Sequence, residues 1–502
     1  MEENMRNKKI FAAACAALSA AVIFAGCGKT PADVTPDNPD KPADTEVFRE
    51  GYYSLREKKV ENADVTGDYL FNCLYLSGGE AIWYETDLTG RSEKSGTYTA
   101  TNEEVTVEIG IRSYRFDYEK GTLTFGGKIN KMNVNMSYTY TENYVLPSAK
   151  GGAAFTEELF GESKEENFYN YCPTALIEGD TMHVWYCSNE KSGNVTDFIA
   201  YRQGKLNAAG KWEFSEKKLV LSPSEKNSGK WDSRHTCDPS VVKGEFSYNG
   251  EKYAYLMAYL GCKTSDNTRN EVGLAVAKTP DGEWVKVGDQ PIANFYTSAD
   301  YGENRWGYGQ PSLIAENGKG KVILFYSMGA AKTCTIAEEW DFSDLNNPVR
   351  LHRAELKERG VVNASGSQDC INNADFAYDP VRGKLYCIKE DGPYPTDGGV
   401  NWIAGSNTIL ALNVGDNFDL LFSGETYQWE KVDTLTKDLT SSPRNHNACI
   451  MKSASGYLTN AYRIPVLYTA ADLAESYPDW ALGGQWPSLH TYRIHGAFFD
   501  IR

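Results

Sequence analysis

The sequence predicts an all-β protein in which a small antiparallel β domain precedes a five-bladed β-propeller. Two patterns carry this prediction. Between residues 96 and 127, short strands of alternating polarity follow one another at tight turns, and from residue 165 onward one strand–turn–strand pattern returns five times. Thirty-two Tyr and 11 Trp favour β-structure as well, because aromatic side chains fit a pleated, half-buried surface.

The N-terminus has the pattern of an export signal. A basic segment over 5–9 precedes an uncharged apolar run over 10–25, which is about the length of a signal-peptide core. The run ends in Phe24-Ala25-Gly26-Cys27, which resembles the lipobox of bacterial lipoproteins. We therefore expect a signal peptide over 1–26, a lipid on Cys27, and a chain anchored to the bacterial cell membrane and facing outside the cytoplasm. An ordinary secretory peptide or a membrane anchor is the alternative.

The segment after Cys27 predicts a disordered tether over 27–49. Residues 28–45 contain four prolines with Asp, Lys and Thr, and almost no apolar side chains. Such a segment buries too little surface to fold and behaves as an extended spacer.

Charge and motifs exclude several classes of function. The net charge of −17 and pI near 5.0 argue against nucleic acid and anionic lipid as partners, since phosphate binding requires a basic patch. We therefore expect membrane association through the lipid anchor only. The sequence has no CxxC, HExxH, Gly-rich phosphate loop or GxSxG motif. Its cysteines lack close paired spacing, which favours buried free thiols, with one or more disulfides as the alternative.

Residues 50–147 form the first predicted domain. Strands over 105–109, 114–118 and 123–125 alternate in polarity and are separated by short turns. This antiparallel meander resembles the lipocalin-like accessory domains of bacterial surface proteins. A structural role and a glycan-contacting role both remain open for it.

Residues 165–502 form the second predicted domain. Each of its five repeats begins with a small or polar cluster, enters an apolar strand, turns, and continues into a second apolar strand. The residues that mark the repeats are Cys172, Asp238, Gln310, Asp375 and His446, at steps of 66, 72, 65 and 71 residues. Five nearly equal steps of β pattern are typical of a propeller whose blades are four-stranded sheets.

Two motifs in this domain resemble a known family. The blade opening Asp-Pro-Ser-Val at 238–241, and a third strand over 271–277 leading to Asp-Gly-Glu-Trp at 281–284, are similar to the glycoside hydrolase family 43 superfamily of arabinanases and β-xylosidases. The resemblance implies a surface-anchored glycoside hydrolase that cleaves a polysaccharide or oligosaccharide by inversion. Such an enzyme needs a base and an acid carboxyl roughly 6.5–9.5 Å apart.

The resemblance implies a catalytic set of Asp238, Asp375 and Glu390, with Glu390 as the acid. The first blade opens with Tyr171 and Cys172, where the family places its base, so no carboxylate stands there. The rival hypothesis is therefore a non-catalytic glycan-binding lipoprotein on the same propeller. Each of the three carboxylates also has a structural interpretation, as a strand-entry, tunnel or loop residue.

Four further residues are candidates for substrate binding. Trp306 and Tyr308 are predicted to form a stacking platform, with core packing as the alternative. Arg234 suits either ion pairing or contacts with sugar hydroxyls, and Gln310 is predicted to bind the substrate. His446 resembles an axial histidine that contacts a bound calcium or its waters, although a hydrogen-bonding role is the simpler interpretation. A structural calcium at the axis is thus the one cofactor considered, and we expect none to be required.

Overall fold

The computed structural model describes residues 47–66, 71–87, 90–129, 131–144, 158–160, 169–190, 196–207, 211–264, 268–297, 306–329, 332–397, 401–460, 463–471 and 492–501. The predicted signal peptide, Cys27 and the tether up to residue 46 lie outside these ranges. Within them, no helix has the length and apolar character needed to cross a membrane.

The first body is an eight-stranded antiparallel barrel with one short additional strand, β2, paired to β1. Its strands are β1 (Gly51–Val60), β2 (Ala63–Asp64), β3 (Phe71–Ser77), β4 (Glu80–Asp87), β5 (Gly90–Ala100), β6 (Glu104–Ile109), β7 (Arg112–Glu119), β8 (Thr122–Ile129) and β9 (Met132–Thr141). Strand β1 pairs with both β3 and β9, which closes the sheet. In β7, the buried residues Tyr114, Phe116 and Tyr118 alternate with exposed ones. They pack inside the barrel, so the interior is a filled core.

The second body is a five-bladed propeller. Blade 1 contains β10 (Tyr171–Glu178), β11 (Thr181–Ser188), β12 (Phe198–Leu206), β13 (Trp212–Phe214) and β14 (Lys218–Leu221). Blade 2 contains β15 (His235–Tyr248), β16 (Glu251–Cys262), β17 (Glu271–Ala277) and β18 (Val285–Lys286). Blade 3 contains β19 (Gly307–Ala315), β20 (Lys321–Gly329), β21 (Thr333–Asp341) and β22 (Val349–Glu355).

The last two blades complete the ring. Blade 4 contains β23 (Ala374–Asp379), β24 (Lys384–Glu390), β25 (Asn407–Asn413) and β26 (Glu430–Leu435), with helix α1 (Asp419–Phe422) before β26 and helix α2 (Lys437–Thr440) after it. Blade 5 contains β27 (Arg444–Ile450), β29 (Arg463–Ala471) and β30 (Arg493–Asp500), and β28 (Lys452–Ser453) follows β27. The predicted all-β fold of a small antiparallel domain and a five-bladed propeller is confirmed.

The ring closes between its last and first blades. Strand β28 pairs in parallel with β10, at Leu176 and Lys452. The segment before blade 1 reaches β30, where the Leu159 N–H donates to the Ile494 carbonyl at 2.8 Å. The first segment of the propeller therefore meets its last strands, and these contacts join blade 5 to blade 1.

The apolar core of the propeller lies between neighbouring blades. One cluster joins blades 2 and 3, another joins blades 3 and 4, and others join 4 to 5, 5 to 1, and 1 to 2. Phe325 and Phe376, from blades 3 and 4, stack with ring centroids 4.1 Å apart. Because each sheet is apolar on both faces, its strands read as continuous apolar runs in the sequence.

The barrel packs against the propeller through a short turn and ion pairs, among them Arg112 with Asp416 and Glu61 with Lys319. The Ile111 N–H donates to the Val381 carbonyl at 3.0 Å. At Gly110, φ is +61°, and a Cβ would lie 2.1 Å from that carbonyl, so only glycine fits there. Lys131 of the barrel also pairs with the buried Glu316 of blade 3.

Candidate functional site

Five residues at the openings of the five blades share one unusual backbone conformation. Their φ angles are positive, at 45° for Cys172, 45° for Asp238, 38° for Gln310, 42° for Asn373 and 42° for Asn447. In four of the five blades this residue lies in a bulge of the innermost strand. Left-handed backbone at residues other than glycine is costly and clusters at functional sites, so these five positions define the candidate site.

Two of the predicted blade markers differ from these equivalent positions. The fourth marker, Asp375, lies two residues beyond Asn373, and the fifth, His446, lies one residue before Asn447. In blade 5, a bulge between His446 and Cys449 adds a residue to the strand and changes which side chains face the axis. In blade 4, the positive-φ residue Asn373 lies just before β23, which pairs without a bulge. An equal-spacing argument cannot detect a shift of one or two residues.

Asp238 is the one predicted catalytic carboxylate that is partly exposed. Its Oδ2 accepts the backbone N–H of Gln310 at 3.2 Å, and the Cys172 thiol hydrogen-bonds to the same carboxyl. Burial raises the pKa of Asp238 to about 6 in spite of these hydrogen bonds, because the charged form loses solvation. Asp238 is thus a carboxyl that gains or loses its proton near pH 6.

A disulfide lies directly beside Asp238. It joins Cys187 in β11 to Cys237 in β15 and so links blade 1 to blade 2. Our expectation of free thiols is therefore wrong for this pair, whereas seven other cysteines of the described chain are free. The Asp238 N–H points at the Cys187 sulfur at 3.0 Å. Partners separated by 50 residues cannot be identified from sequence spacing alone.

Asp375 lies in the propeller interior, where its carboxylate is fully engaged. Its Oδ1 is 2.6 Å from Lys452 Nζ and 2.6 Å from the Ser312 hydroxyl, and its Oδ2 accepts the Ile450 N–H at 2.9 Å. Asp375 is 4% exposed and Lys452 is 0% exposed. These contacts join blades 3, 4 and 5, as expected for a structural ion pair.

Glu390, at the end of β24, is enclosed by four donors. His446 Nδ1 and the Asn447 N–H contact its Oε1 at 2.5 and 2.8 Å. The Asn373 amide, at 2.9 Å, and the Tyr394 hydroxyl donate to its Oε2. Burial opposes the charge, but the His446 ring and the other donors together lower the pKa of Glu390 below its ordinary value. A carboxylate held ionised in this way is a poor proton donor, and its side chain is 0% exposed.

A chain of hydrogen bonds connects Asp238 to Glu390 across the axis. The Gln310 N–H donates to Asp238, the Asn447 amide donates to Gln310 Oε1 at 2.9 Å, and the Asn447 N–H donates to Glu390. Gln310 also donates to the Ala448 carbonyl at 3.4 Å and is buried. The predicted substrate-binding residue Gln310 therefore positions its neighbours from within the cluster.

His446 uses Nδ1 for the contact with Glu390, and its ring stacks on Tyr492 with centroids 6.2 Å apart. Calcium binds six to eight oxygen ligands, and both Glu390 oxygens already accept hydrogen bonds. The neighbouring Asn447 Oδ1 is buried with no hydrogen-bond partner among the described residues. The Oδ1 of Asn445, one residue before His446, is likewise buried with no partner among the described residues. Both oxygens suit a water or a hard cation, and calcium contact by His446 stays a prediction.

The two predicted stacking residues lie in different environments. The Trp306 indole covers Gly329 and Gly309, where added Cβ atoms would lie 2.0 and 3.4 Å from the ring, so these glycines make room for it beside Asp238. Tyr308 is 2% exposed and packs on Phe295, with centroids 5.2 Å apart. Tyr308 belongs to the core between blades 2 and 3, which corrects its prediction as a stacking platform: alternation along β19 turns it inward.

Asp197 is a site residue that sequence reasoning missed. This buried carboxylate contacts His235 Nδ1 at 2.7 Å and accepts the Tyr171 hydroxyl at 2.8 Å. It thereby fixes both residues next to Asp238. Arg234, one residue earlier than His235, has a buried Nε without a hydrogen-bond partner among the described residues, which leaves a donor for a ligand. In the sequence, only its position just before β12 could have pointed to Asp197 as a site residue.

Comparison with known proteins adds a likeness of fold. No family model matches the chain, and no curated protein matches it. Among solved structures, an α-L-arabinofuranosidase from Podospora anserina in complex with cellotriose is 13% identical, covering 69% of this chain and 95% of that one with a TM-score of 0.40. A GH43_1 enzyme from Xanthomonas citri is 13% identical over 69% and 90%, with a TM-score of 0.40.

An endo-arabinase from Bacteroides thetaiotaomicron VPI-5482 is likewise 13% identical over 70% of this chain and 98% of that one, with a TM-score of 0.37. A GH62 hydrolase in complex with xylotriose is 10% identical over 68% of this chain and 94% of that one, with a TM-score of 0.41. The described chain itself defines a class: a five-bladed propeller with a polar cluster at the axial openings of its blades. Among the described residues, Cys172 and the Cys187–Cys237 disulfide lie beside the partly exposed carboxyl of Asp238.

Proposed function

We propose that the protein binds a polysaccharide or oligosaccharide at the axial face of the propeller, without hydrolysing it. One observation carries the proposal: of the three candidate catalytic carboxyls, Asp238 alone is partly exposed. Inverting hydrolysis needs two carboxyls that both reach the sugar or its attacking water. Asp375 is committed to Lys452 and Glu390 to four internal donors.

The groups around Asp238 suit sugar recognition. A carboxylate accepts strong hydrogen bonds from ligand hydroxyls, and Arg234 supplies a donor that lacks a partner among the described residues. Trp306 adds a flat apolar surface next to them. A few convergent polar groups beside an aromatic ring are typical of small-ligand sites.

Affinity electrophoresis of the purified full-length protein in gels with arabinan, arabinoxylan or hydroxyethylcellulose tests this function. We expect retardation in at least one gel and no release of reducing sugar. Asp238→Asn should weaken retardation at least tenfold. The matched control is Asp180→Asn, an exposed aspartate in the turn at the opposite end of blade 1. Absence of retardation in every gel would refute the proposal.

Hydrolysis is the second candidate, favoured by the opposite pKa shifts of two linked carboxyls. The pKa of Asp238 is raised to about 6 by burial, whereas that of Glu390 is lowered by His446 and its other donors against the effect of burial. Diverging pKa values are typical of an acid and base pair. They would make Asp238 the acid, the reverse of the order that the resemblance implies. Release of reducing sugar that Asp238→Asn abolishes would establish this candidate instead.

We also propose that the protein is a lipoprotein, anchored through Cys27 and facing outside the cytoplasm. The lipobox-like segment 24–27 after an apolar run supports this. Cys27→Ala should leave the precursor uncleaved and unlabelled by fatty-acid analogues in the producing cell, whereas Cys15→Ala should be labelled as the natural chain is. Label on the Cys27→Ala chain would contradict the proposal.

A further inference from the structure

A cavity of about 580 Å³ opens in blade 2, away from the axial cluster. Its walls come from the segment before β15, the end of β16, the start of β17 and the loop after β18. Thr236, Gly261 and Glu271 are direct neighbours across β15, β16 and β17. Since neighbouring strands lie about 4.8 Å apart, Glu271 lies roughly 10 Å outward from the strand that carries Asp238, at the same end of the blade.

Glu271 contributes a buried acceptor that the described protein leaves unsatisfied. The side chain is 2% exposed and lines the cavity, and its Oε1 has no hydrogen-bond partner among the described residues. The backbone N–H groups of Tyr296 and Phe295 hydrogen-bond to the same carboxyl. A buried polar oxygen without a donor costs free energy, so a donor on a ligand in the cavity would be stabilised there.

An aromatic wall faces the same space. Trp231 lines the cavity and lies flat over Gly261 and Gly273, where added Cβ atoms would be 2.3 Å from the indole. The ring stacks on Tyr259 with centroids 5.4 Å apart and an interplanar angle of 29°. The two glycines therefore create a seat that holds the indole in place as a flat surface.

The charges that line the cavity balance. Lys230 pairs with Asp289 at 3.3 Å, and Lys263 lies 4.2 Å from the centre of the Tyr296 ring, near Glu271. Burial raises the pKa of Glu271 to about 7, so above that pH two cations face two carboxylates and give no net field to select an anion or a cation. The chemistry that fits is an uncharged ligand with hydroxyl donors and an apolar face.

We propose that this cavity is a second carbohydrate site, which binds one sugar unit of a neutral glycan chain. A hydroxyl of the sugar donates to Glu271 Oε1, and the face of the ring packs on Trp231. The proposal stands on the cavity itself and does not require the axial site. Where both sites bind, one chain long enough to span about 10 Å occupies them together, which raises avidity.

Oxidation of Trp231 by N-bromosuccinimide, followed by mass spectrometry of its peptide, tests the site directly. The probes are arabinan, arabinoxylan and hydroxyethylcellulose, each added in excess to the full-length protein. We expect at least one probe to slow oxidation of Trp231 fivefold or more. Equal oxidation rates with and without all three probes would overturn the proposal.

Variants separate this site from the axial one. Glu271→Gln should weaken binding of the protecting probe at least tenfold, whereas Glu251→Gln, an exposed change at the opposite end of the same blade, should not. Asp238→Asn should leave Trp231 protected at saturating probe, even if it weakens axial binding. Binding by Glu271→Gln equal to that of the natural chain would contradict the second site. If only the axial site is lost, Asp238→Asn weakens glycan binding at the axis while Trp231 stays protected from oxidation.

Discussion

Nδ1 of His446 lies 2.5 Å from Oε1 of Glu390, and this contact joins the opening of blade 5 to the second strand of blade 4. Both side chains are buried, so the pair is shielded from water. Replacing Glu390 would leave groups that contact it, His446 Nδ1 and the Asn447 N–H, buried without their acceptor, which destabilises the folded protein. Glu390 therefore lies next to the axis because it holds blade 4 against blade 5.

Glu390→Gln should lower the free energy of unfolding by about 3–5 kcal/mol near pH 7, since a buried charged partner is removed. Urea titration followed by tryptophan fluorescence measures this, with exposed Glu251→Gln as the control. The pKa of Glu390 is lowered in the folded protein, so its contribution is present above the ordinary value of 4.5 and is lost as the pH falls below it. The difference between the two chains should therefore shrink toward pH 3, and a pH-independent difference would show that Glu390 is not held ionised in the folded protein.

Asp375→Asn should also destabilise the protein by about 3–5 kcal/mol, because Lys452 would remain charged in the interior. Combining it with Lys452→Met should recover part of the loss, since no unpaired charge is then buried. Unfolding in urea measures both, and Asp180→Asn is the control. If the natural chain hydrolyses a glycan, a loss of stability below 1 kcal/mol together with a marked loss of that hydrolysis would instead place Asp375 in the catalytic set.

Asp238→Asn should stabilise the protein while it weakens glycan binding. The pKa of Asp238 is raised from 3.8 to about 6, so its charged form costs folding free energy, and stability is lost as the pH rises through that range. Asparagine avoids this cost, which gives a gain of about 1–3 kcal/mol at pH 8 and little difference below pH 3.8. Thermal unfolding at the two pH values checks it. Destabilisation at pH 8 would show that the carboxylate is structural.

Reduction of the Cys187–Cys237 disulfide should lower the free energy of unfolding by about 2–4 kcal/mol, because the bond closes a 50-residue separation in the unfolded chain. Urea titration with and without a dithiol reductant measures the loss, and the double change Cys187→Ser with Cys237→Ser should reproduce it. Cys370→Ser, a free and partly exposed cysteine, serves as the control. Identical curves in both conditions would mean that the pair is not bonded in solution.

Much of the architecture could be predicted from the sequence because blade strands are local patterns. The apolar run over 253–259 recurs at a regular spacing along the chain, and each copy forms the second strand of a blade. The barrel strands β6 to β8 could be placed for the same reason, since inward residues such as Val107 and Phe116 alternate with polar ones. The axial position of Asp238 also followed from its repeat.

The remaining site residues could not be predicted because their roles depend on partners from other blades. Glu390 was expected to be an acid, yet donors at Asn373, His446 and Asn447 favour its ionised form. Asp197 looks like any strand-entry residue until Tyr171 and His235 are seen around it. A pKa is set by burial and neighbouring charges, and neither is written in local sequence.

The sequence by itself determined that this chain forms a small antiparallel β domain and a five-bladed propeller, because both follow from strand periodicity and repeat length, whereas the β1–β9 pairing that closes the first domain into a barrel is seen only in the structure. Only the tertiary structure decided which side chains meet at the axis. A bulge moves the equivalent position from His446 to Asn447, and ring closure brings Lys452 beside Asp375 across 77 residues. Local pattern specifies each strand, whereas register and burial, which determine the chemistry, are properties of the assembled ring.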